Sequence, residues 1–284
     1  MIGRSASQSD CLTPAALARF RATLDQPTAS AADDQLAPQG IHWCLCLPDA
    51  PTALLGPDGH PLRDETPDSF MPPIPLPRRM WAASEMQFHA PIRSGAQIRR
   101  VSTIASIKEK NGASGPLVFV EVAHENFADD QLAIQEKQTI VYREAAPAAA
   151  PSSANDKPAP VVSDTLDLTS WQWHREIQPS APLLFRYSAL TFNSHRIHYD
   201  LPYARDEEGY AGLVVHGPLT ATLLLDLAQR HLGLNSLKRF QMRAQSPAFV
   251  DQPMHLVGRE DGAGGWTLAA LGPDGRTIVA ASAA

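Results

Sequence analysis

Asn193 and His198 stand five positions apart in LTFNSHRIHYD (residues 190–200), a stretch that also holds His195, Arg196 and Asp200. An imidazole is the side chain whose ordinary pKa, about 6.5, lets it take a proton and return it near neutrality. An asparagine amide offers two donors and an acceptor, enough to orient a water molecule. The pair suits a reaction in which water is held and deprotonated. His195, His198 and Asp200 also spell H-x-x-H-x-D, a spacing open to metal ligation. No further histidine or cysteine cluster completes such a set, so neither a metal nor a cofactor is expected. Asp200, ahead of LPYARDEE, reads most simply as the cap of a short helix. His195 is expected to brace the loop by hydrogen bonding. Arg196 is expected to meet either a substrate carboxylate or a local acid.

A second stretch, VVHGPLTATLLL (214–225), supplies a different kind of chemistry. Gly217-Pro218 at the head of an apolar run is a helix start, because proline in the first turn gives up only an amide that would lack a partner anyway. The free N–H groups and the positive end of the helix dipole would then face outward at Gly217, where an oxygen gaining negative charge can be stabilised. A well-capped core helix accounts for the same residues without chemistry. His216 falls beside the same point and is a candidate for a second contact.

These groups need elements to hold them. FRYSAL (185–190) alternates like a half-buried strand, whose end would aim the polar cluster at the helix head. GPLTATLLLDLAQ is apolar on nearly every side, so it must be wrapped on nearly every side. An antiparallel sheet curling round one buried helix meets that demand. The pattern recurs. MQFHAPIRSGAQIRRVSTIASIKEK, the turn NGASG, PLVFVEVAHENF and LAIQEKQTIVYR in the first half match FQMRAQSPAFVDQPMHLVGRE, DGAGG, WTLAALGPDGRTIVAASA in the second. Each copy has a proline, three residues, then Gly95 or Asp251 before a strand, and each ends in a meander with glycine-bearing turns. LTPAALARFRATLD precedes the first copy as a helix opened by Thr-Pro. Between the copies, EAAPAAAPSSANDKPAPVVS (144–163) is Pro/Ala-rich and lacks apolar periodicity, as in a semi-extended linker. The expected organisation is an α+β tandem: a first unit over 1–143, the linker, and a second unit over 164–284, the two sheets pairing edge to edge.

Composition narrows the function classes. Across 284 residues, 44% hydrophobic and 19% charged content suits a globular chain, and a net charge of −6 gives no basic footprint for nucleic acid. The three cysteines, Cys11, Cys44 and Cys46, are too few and odd in number for a disulfide framework and point to a reducing compartment. WCLCL reads as core packing rather than a metal pair. No apolar run approaches a membrane span, and MIGRSASQSDCLTP has no signal-peptide core. A cytoplasmic protein without a membrane partner is expected.

YSALTFNSHRIHYDLPYA followed by GLVVHGPLTATLLLDLA resembles the hydratase motif of MaoC-like enoyl-CoA hydratases. The likeness is strongest to the subgroup of type 2 3-hydroxyacyl-thioester dehydratases and 3-methylfumaryl-CoA (mesaconyl-C4-CoA) hydratases. DGHP at 58–61, PPIPLPRRMW at 72–81, GPLVFVEVAHE at 115–125 and QTIVYR at 138–143 resemble that subgroup's first domain. The resemblance implies a double hot-dog fold, two antiparallel sheets each wrapped around a long helix. It also implies a hydro-lyase acting on an acyl-CoA or acyl-carrier-protein thioester. His198 would transfer the proton, Asn193 would hold the water and the Gly217 N–H would be an oxyanion donor. The first half has no counterpart of these motifs and is expected to be non-catalytic. Asparagine stands at 193 where MaoC-like hydratases in general carry aspartate. One histidine would then both take and return the proton, giving syn addition. A catalytically silent acyl-thioester-binding module and a thioesterase on the same scaffold are the competing readings. Acyl chain, direction of reaction and oligomeric state, a homodimer included, stay open, as does the choice among Arg78, Arg79, Arg196 and Arg243 for any substrate carboxylate.

Overall fold

The computed structural model describes residues 1–26, 35–64, 66, 68–112, 115–144 and 166–284. The linker expected at 144–163 lies outside these apart from Glu144.

The first-half strands are β1 (Ser5–Cys11), β2 (Arg78–Phe88), β3 (Gln97–Gly112), β4 (Gly115–Ala128) and β5 (Gln131–Arg143). The second half gives β6 (Trp173–Ile177), β7 (Arg239–Ala244), β8 (Met254–Glu260), β9 (Trp266–Leu271) and β10 (Thr277–Ala283). They form one ten-stranded sheet in the order β1-β3-β4-β5-β2-β7-β10-β9-β8-β6. Counted from each half's own first strand, both halves run first, third, fourth, fifth, second, so the repeat read from the sequence is a topological repeat. The halves join where β2 pairs antiparallel with β7, from Ala83 opposite Arg243 to Gln87 opposite Arg239. The expected edge-to-edge pairing is therefore present.

The repeat extends to single hydrogen bonds. Gly95 and Asp251 both hold positive φ, 88° and 63°. Their amides donate to Leu12 O and Pro179 O respectively, at 2.7 and 2.9 Å. Each of those carbonyls immediately precedes the cap of a helix. Thr13 caps α1 (Pro14–Thr23) and Ser180 caps α2 (Ala181–Thr191), each hydroxyl accepting from the amide three residues on.

The second of those helices corrects the sequence expectation: FRYSAL is helical, not a strand. Its buried residues are Leu184 and Tyr187, spaced i, i+3, while Phe185 faces solvent. Ser180 with Pro182 in the second helical position forms a start signal akin to Thr13-Pro14, and that signal outweighs the short alternation.

The long helix α3 (Gly217–Leu232) is buried without a break from Leu219 to Ala228, as its apolar circumference requires. It packs on β6, β8, β9 and β10. Gly40, at φ 101°, brings the segment Gly40–Cys44 of the first half against Leu225 on another side of α3. The one carboxylate in the buried stretch, Asp226, is answered by Arg175, Arg230 and Gln26. The first half has no matching long helix among its described residues: α1, ten residues long, corresponds to α2. Where a second long helix would lie against the first half's sheet, the chain runs through short turns and a cavity opens. Cys44 and Cys46 are buried and unbridged in the core, as expected. No helix among the described residues is long and apolar enough to cross a membrane.

Candidate active site

Helix α2 ends at Phe192, which takes a left-handed conformation (φ 47°) and turns the chain sharply into the polar cluster. The Asn193 side-chain oxygen accepts from the His195 amide at 3.0 Å, leaving its NH2 group to offer. Arg196–His198 form a short 3-10 turn. A single π-type turn, Tyr203–Glu207, follows, and Asp200 accepts from the Tyr203 amide at 3.2 Å, the capping role expected of it.

His198 is buried and its Nδ1 lies 2.7 Å from the Val214 carbonyl. A carbonyl only accepts, so Nδ1 carries the proton and Nε2 keeps its lone pair. The Val214 amide in turn donates to Ile197 O at 3.0 Å, which ties this loop to the approach of α3. His216 caps α3, with Gly217 and Pro218 as its first two positions. The Gly217 amide, first in the helix, has no intrahelical acceptor. His198 and His216 stack at 3.5 Å, and His216 Nε2 meets Ser188 Oγ at 2.9 Å.

The first half, expected from the sequence to shape the acyl pocket and support the second, reaches into this site through a loop that the sequence reading gave no role there. The loop Asp58-Gly59-His60 lies directly on Ser194–Arg196. Ser194 Oγ donates to Gly59 O at 2.5 Å and the Arg196 amide donates to Asp58 O at 2.9 Å. Gly59, at φ 85°, has no space for a Cβ, which would strike the Ser194 carbonyl oxygen. His60 Nδ1 bonds Asp58 Oδ2 at 3.0 Å, and its ring lies 4.0 Å from that of His195. His195 meets His198 edge-on at 5.5 Å. Four imidazoles thus form a row, 60–195–198–216, with Asp58 at one end and Ser188 at the other.

Burial governs the charge of His195, His198 and His216. It presses His198 down to about 4, against the pull of the Val214 carbonyl. His195 is pushed to about 2 by burial and by the charges of His60 and His198, and His216 falls well below its usual range for the same reasons. Burial alone would raise the Asp58 carboxyl, but its hydrogen bonds to His60 override that and hold it at about 2. At neutral pH the site offers neutral imidazole bases beside one carboxylate.

Two adjoining cavities, of about 1180 and 810 Å³, meet here. Asn193, His60, His216, Trp81 and Arg79 line both, while His195, His198 and Gly217 line the smaller one. The larger cavity continues over the first half's sheet past Trp43, Phe70, Met71 and Tyr142. The imidazole at 198 and the helix head at 217 line one cavity. Arg196 does not reach either cavity. Its guanidinium holds Asp200 at 2.7 Å and Pro57 O at 2.8 Å, the local acid being one of the two partners expected of it.

The H-x-x-H-x-D ligand set is not assembled, since His198 Nδ1 and Asp200 are both engaged elsewhere. A different trio, Asp58, His60 and His195, brings one carboxylate oxygen and two ring nitrogens within 4.8 Å of one another, although the Asp58–His60 hydrogen bond already uses part of that set.

Comparison with known proteins bears directly on this arrangement. The family model for hydroxyacyl-thioester dehydratase type 2 matches residues 40–250, from the Gly40 segment to the turn that follows β7. The chain belongs to this family. Among curated type 2 relatives and their kin, it is 44% identical to the mesaconyl-C4-CoA hydratase of Chloroflexus aurantiacus over 282 residues, 99% of this chain and 95% of that protein. It is 28% identical to the mitochondrial hydroxyacyl-thioester dehydratase type 2 of Schizosaccharomyces pombe, covering 89% of each. The solved structure of HtdX from Mycobacterium tuberculosis superposes with a TM-score of 0.67 at 16% identity over 99% of both chains. Another M. tuberculosis protein, described as a double hot dog, gives 0.60 at 12% identity over 100% of this chain and 95% of that one. At those identities the likeness is one of fold, and the fold is the double hot dog.

Proposed function

We propose that the chain is a cytosolic hydro-lyase that adds water to the double bond of mesaconyl-C4-CoA, or removes it from the corresponding 3-hydroxyacyl thioester. The observation that carries this reading is the shared cavity of His198, Asn193 and the Gly217 helix head, in a chain 44% identical to a mesaconyl-C4-CoA hydratase.

The geometry supports a definite division of labour. His198 Nε2, left unprotonated by the Nδ1 bond to Val214, takes a proton from water. Asn193 has committed its oxygen to the His195 amide, so its NH2 group donates to that water. The thioester oxygen gains negative charge as the β-carbon is attacked, and it lies at the Gly217 amide, where the dipole of a sixteen-residue helix adds to the hydrogen bond. The same imidazole then hands its proton to the α-carbon, so addition is syn. The reacting groups belong to the second half, whereas the first half supplies the roof of the acyl cavity and braces the loop through Asp58–His60. Purified protein incubated with mesaconyl-C4-CoA should lose the enoyl-thioester absorbance and yield a 3-hydroxyacyl product. No loss with this substrate, or with crotonyl-CoA, would point to a silent thioester-binding module instead, and release of free thiol would point to a thioesterase.

A further inference from the structure

Five described arginines lie near the two cavities, and all but two are used internally. Arg63 donates to the carbonyls of Ile74, Leu76 and Pro77. Arg78 pairs with Glu208 at 3.2 Å. Arg100, deeper in the larger cavity, holds Cys46 O and Gln8 Oε1. Arg143 lines only the smaller cavity, its buried Nε without a partner among the described residues, and it stands opposite Arg78 in the β2–β5 register, on the alternate face of the strand from Arg79 and Trp81. Arg79 lines both cavities, as Arg63 does, but no carbonyl or ion pair among the described residues takes up its guanidinium, which meets a neutral group, the Tyr142 hydroxyl. An arginine is charged at any relevant pH, and one half-buried in a largely apolar wall without an anion is a binding site for one.

Its position fits a particular anion. Arg79 and Trp81 are alternate residues of β2, so they point to the same face, and the register with β5 is regular over this step (Arg79 opposite Tyr142, Trp81 opposite Ile140). Trp81 covers the helix head, its ring 3.7 Å from where a Gly217 Cβ would stand. Alternate positions on a strand are about 7 Å apart. In a four-carbon dicarboxylyl monothioester with a trans double bond, the free carboxylate carbon lies about 4 Å from the thioester carbon, three carbon–carbon bonds away. A bidentate guanidinium–carboxylate pair adds roughly 4 Å more. With the thioester at Gly217, the far carboxylate falls within reach of Arg79. Arg79 and His195 line the smaller cavity together.

We infer that Arg79 is the specificity-determining residue for this reaction, binding the free carboxylate of a dicarboxylyl thioester and so holding the β-carbon against the water at His198. Among the arginines considered from the sequence, Arg78 and Arg196 are already paired and Arg243 reaches neither cavity. This inference rests on the proposed hydratase activity.

The test compares wild type, Arg79→Met and Arg79→Lys with three thioesters: mesaconyl-C4-CoA, its methyl ester and crotonyl-CoA. Wild type should favour the free acid over its ester by about 100-fold in kcat/KM, the scale expected when a half-buried charged group loses a charge-assisted hydrogen-bond partner. In Arg79→Met that preference should collapse to within a few-fold, and Arg79→Lys should restore part of it. The wild-type ratio does not depend on any variant folding, and thermal denaturation reports on the variants. Wild type that hydrates acid and ester equally, or an Arg79→Met protein that keeps the preference, would overturn the assignment of Arg79 while leaving the hydratase reading intact. Wild type that hydrates none of the three would overturn both.

Discussion

The rings of His198 and His216 lie face to face, 3.5 Å apart and 19° from parallel, with Nδ1 of the first anchored to Val214 O and Nε2 of the second against Ser188. Two imidazolium ions could not share that contact, so the pair is a device for keeping a base neutral. Replacing the base is the most direct test. His198→Ala should lower kcat about a thousand-fold or more while leaving the thermal transition cooperative. A variant with near-normal turnover of an enoyl-CoA would remove His198 from the mechanism.

Acidity should act on rate and stability in the same direction. With His198 held at about 4 rather than 6.5, kcat/KM should show no inflection near pH 6.5 and should fall only towards pH 4. For stability, His195, His198 and His216 have depressed values in the fold. Between about pH 6.5 and 4 the unfolded chain therefore binds more protons than the folded one, and stability rises with pH. Their contribution is fully present above the unfolded value and is lost as the pH falls below it, by about 1.4 kcal/mol per pH unit for each neutral histidine. Urea denaturation at pH 7.0 and 5.0 would measure the difference. Equal midpoints would contradict the buried neutral state.

The seam between the halves should be sensitive at one glycine. Gly59→Ala combines an unfavourable positive φ with a collision at the Ser194 carbonyl, and it should cost about 2 kcal/mol or more and at least tenfold in activity by shifting the 194–198 loop. Paired denaturation and rate measurements would show both effects. An unchanged rate would mean that the first-half loop does not set the geometry of the second.

Ser188 is expected to matter through His216 alone. His216 Nδ1 already lacks a partner among the described residues, so Ser188→Ala would leave the whole buried ring unsatisfied at a cost of about 1–3 kcal/mol. Ser188→Thr, which keeps the hydroxyl, should recover most of it in a denaturant titration.

Much of the scaffold could be read from residues alone because its signals are local. The Pro91–Gly95 and Pro247–Asp251 spacings mark turns that only residues tolerating positive φ can make, and α3 announces its burial by being apolar on all sides. FRYSAL misled because a six-residue alternation cannot outweigh a Ser-x-Pro helix start five residues upstream. The Asn193, His198 and Gly217 constellation was visible because its members lie within 25 residues of one another in sequence. The Asp58–His60 contribution was not, since the hydrogen bond that seats it spans 135 residues and joins two loops with no periodicity to betray them. The trapping of Arg196 by Asp200 was equally obscure, because a charged pair four residues apart can form or face a ligand depending on which turn lies between.

The unequal helices of the two halves have a consequence beyond packing. In an assembly of two identical subunits, every substitution that enlarges one binding chamber must also hollow out the partner's core. Joining the copies in one polypeptide breaks that constraint: one copy can surrender the rod that fills its sheet, trading rigidity for room, while its sibling stays solid enough to hold the reacting groups in register.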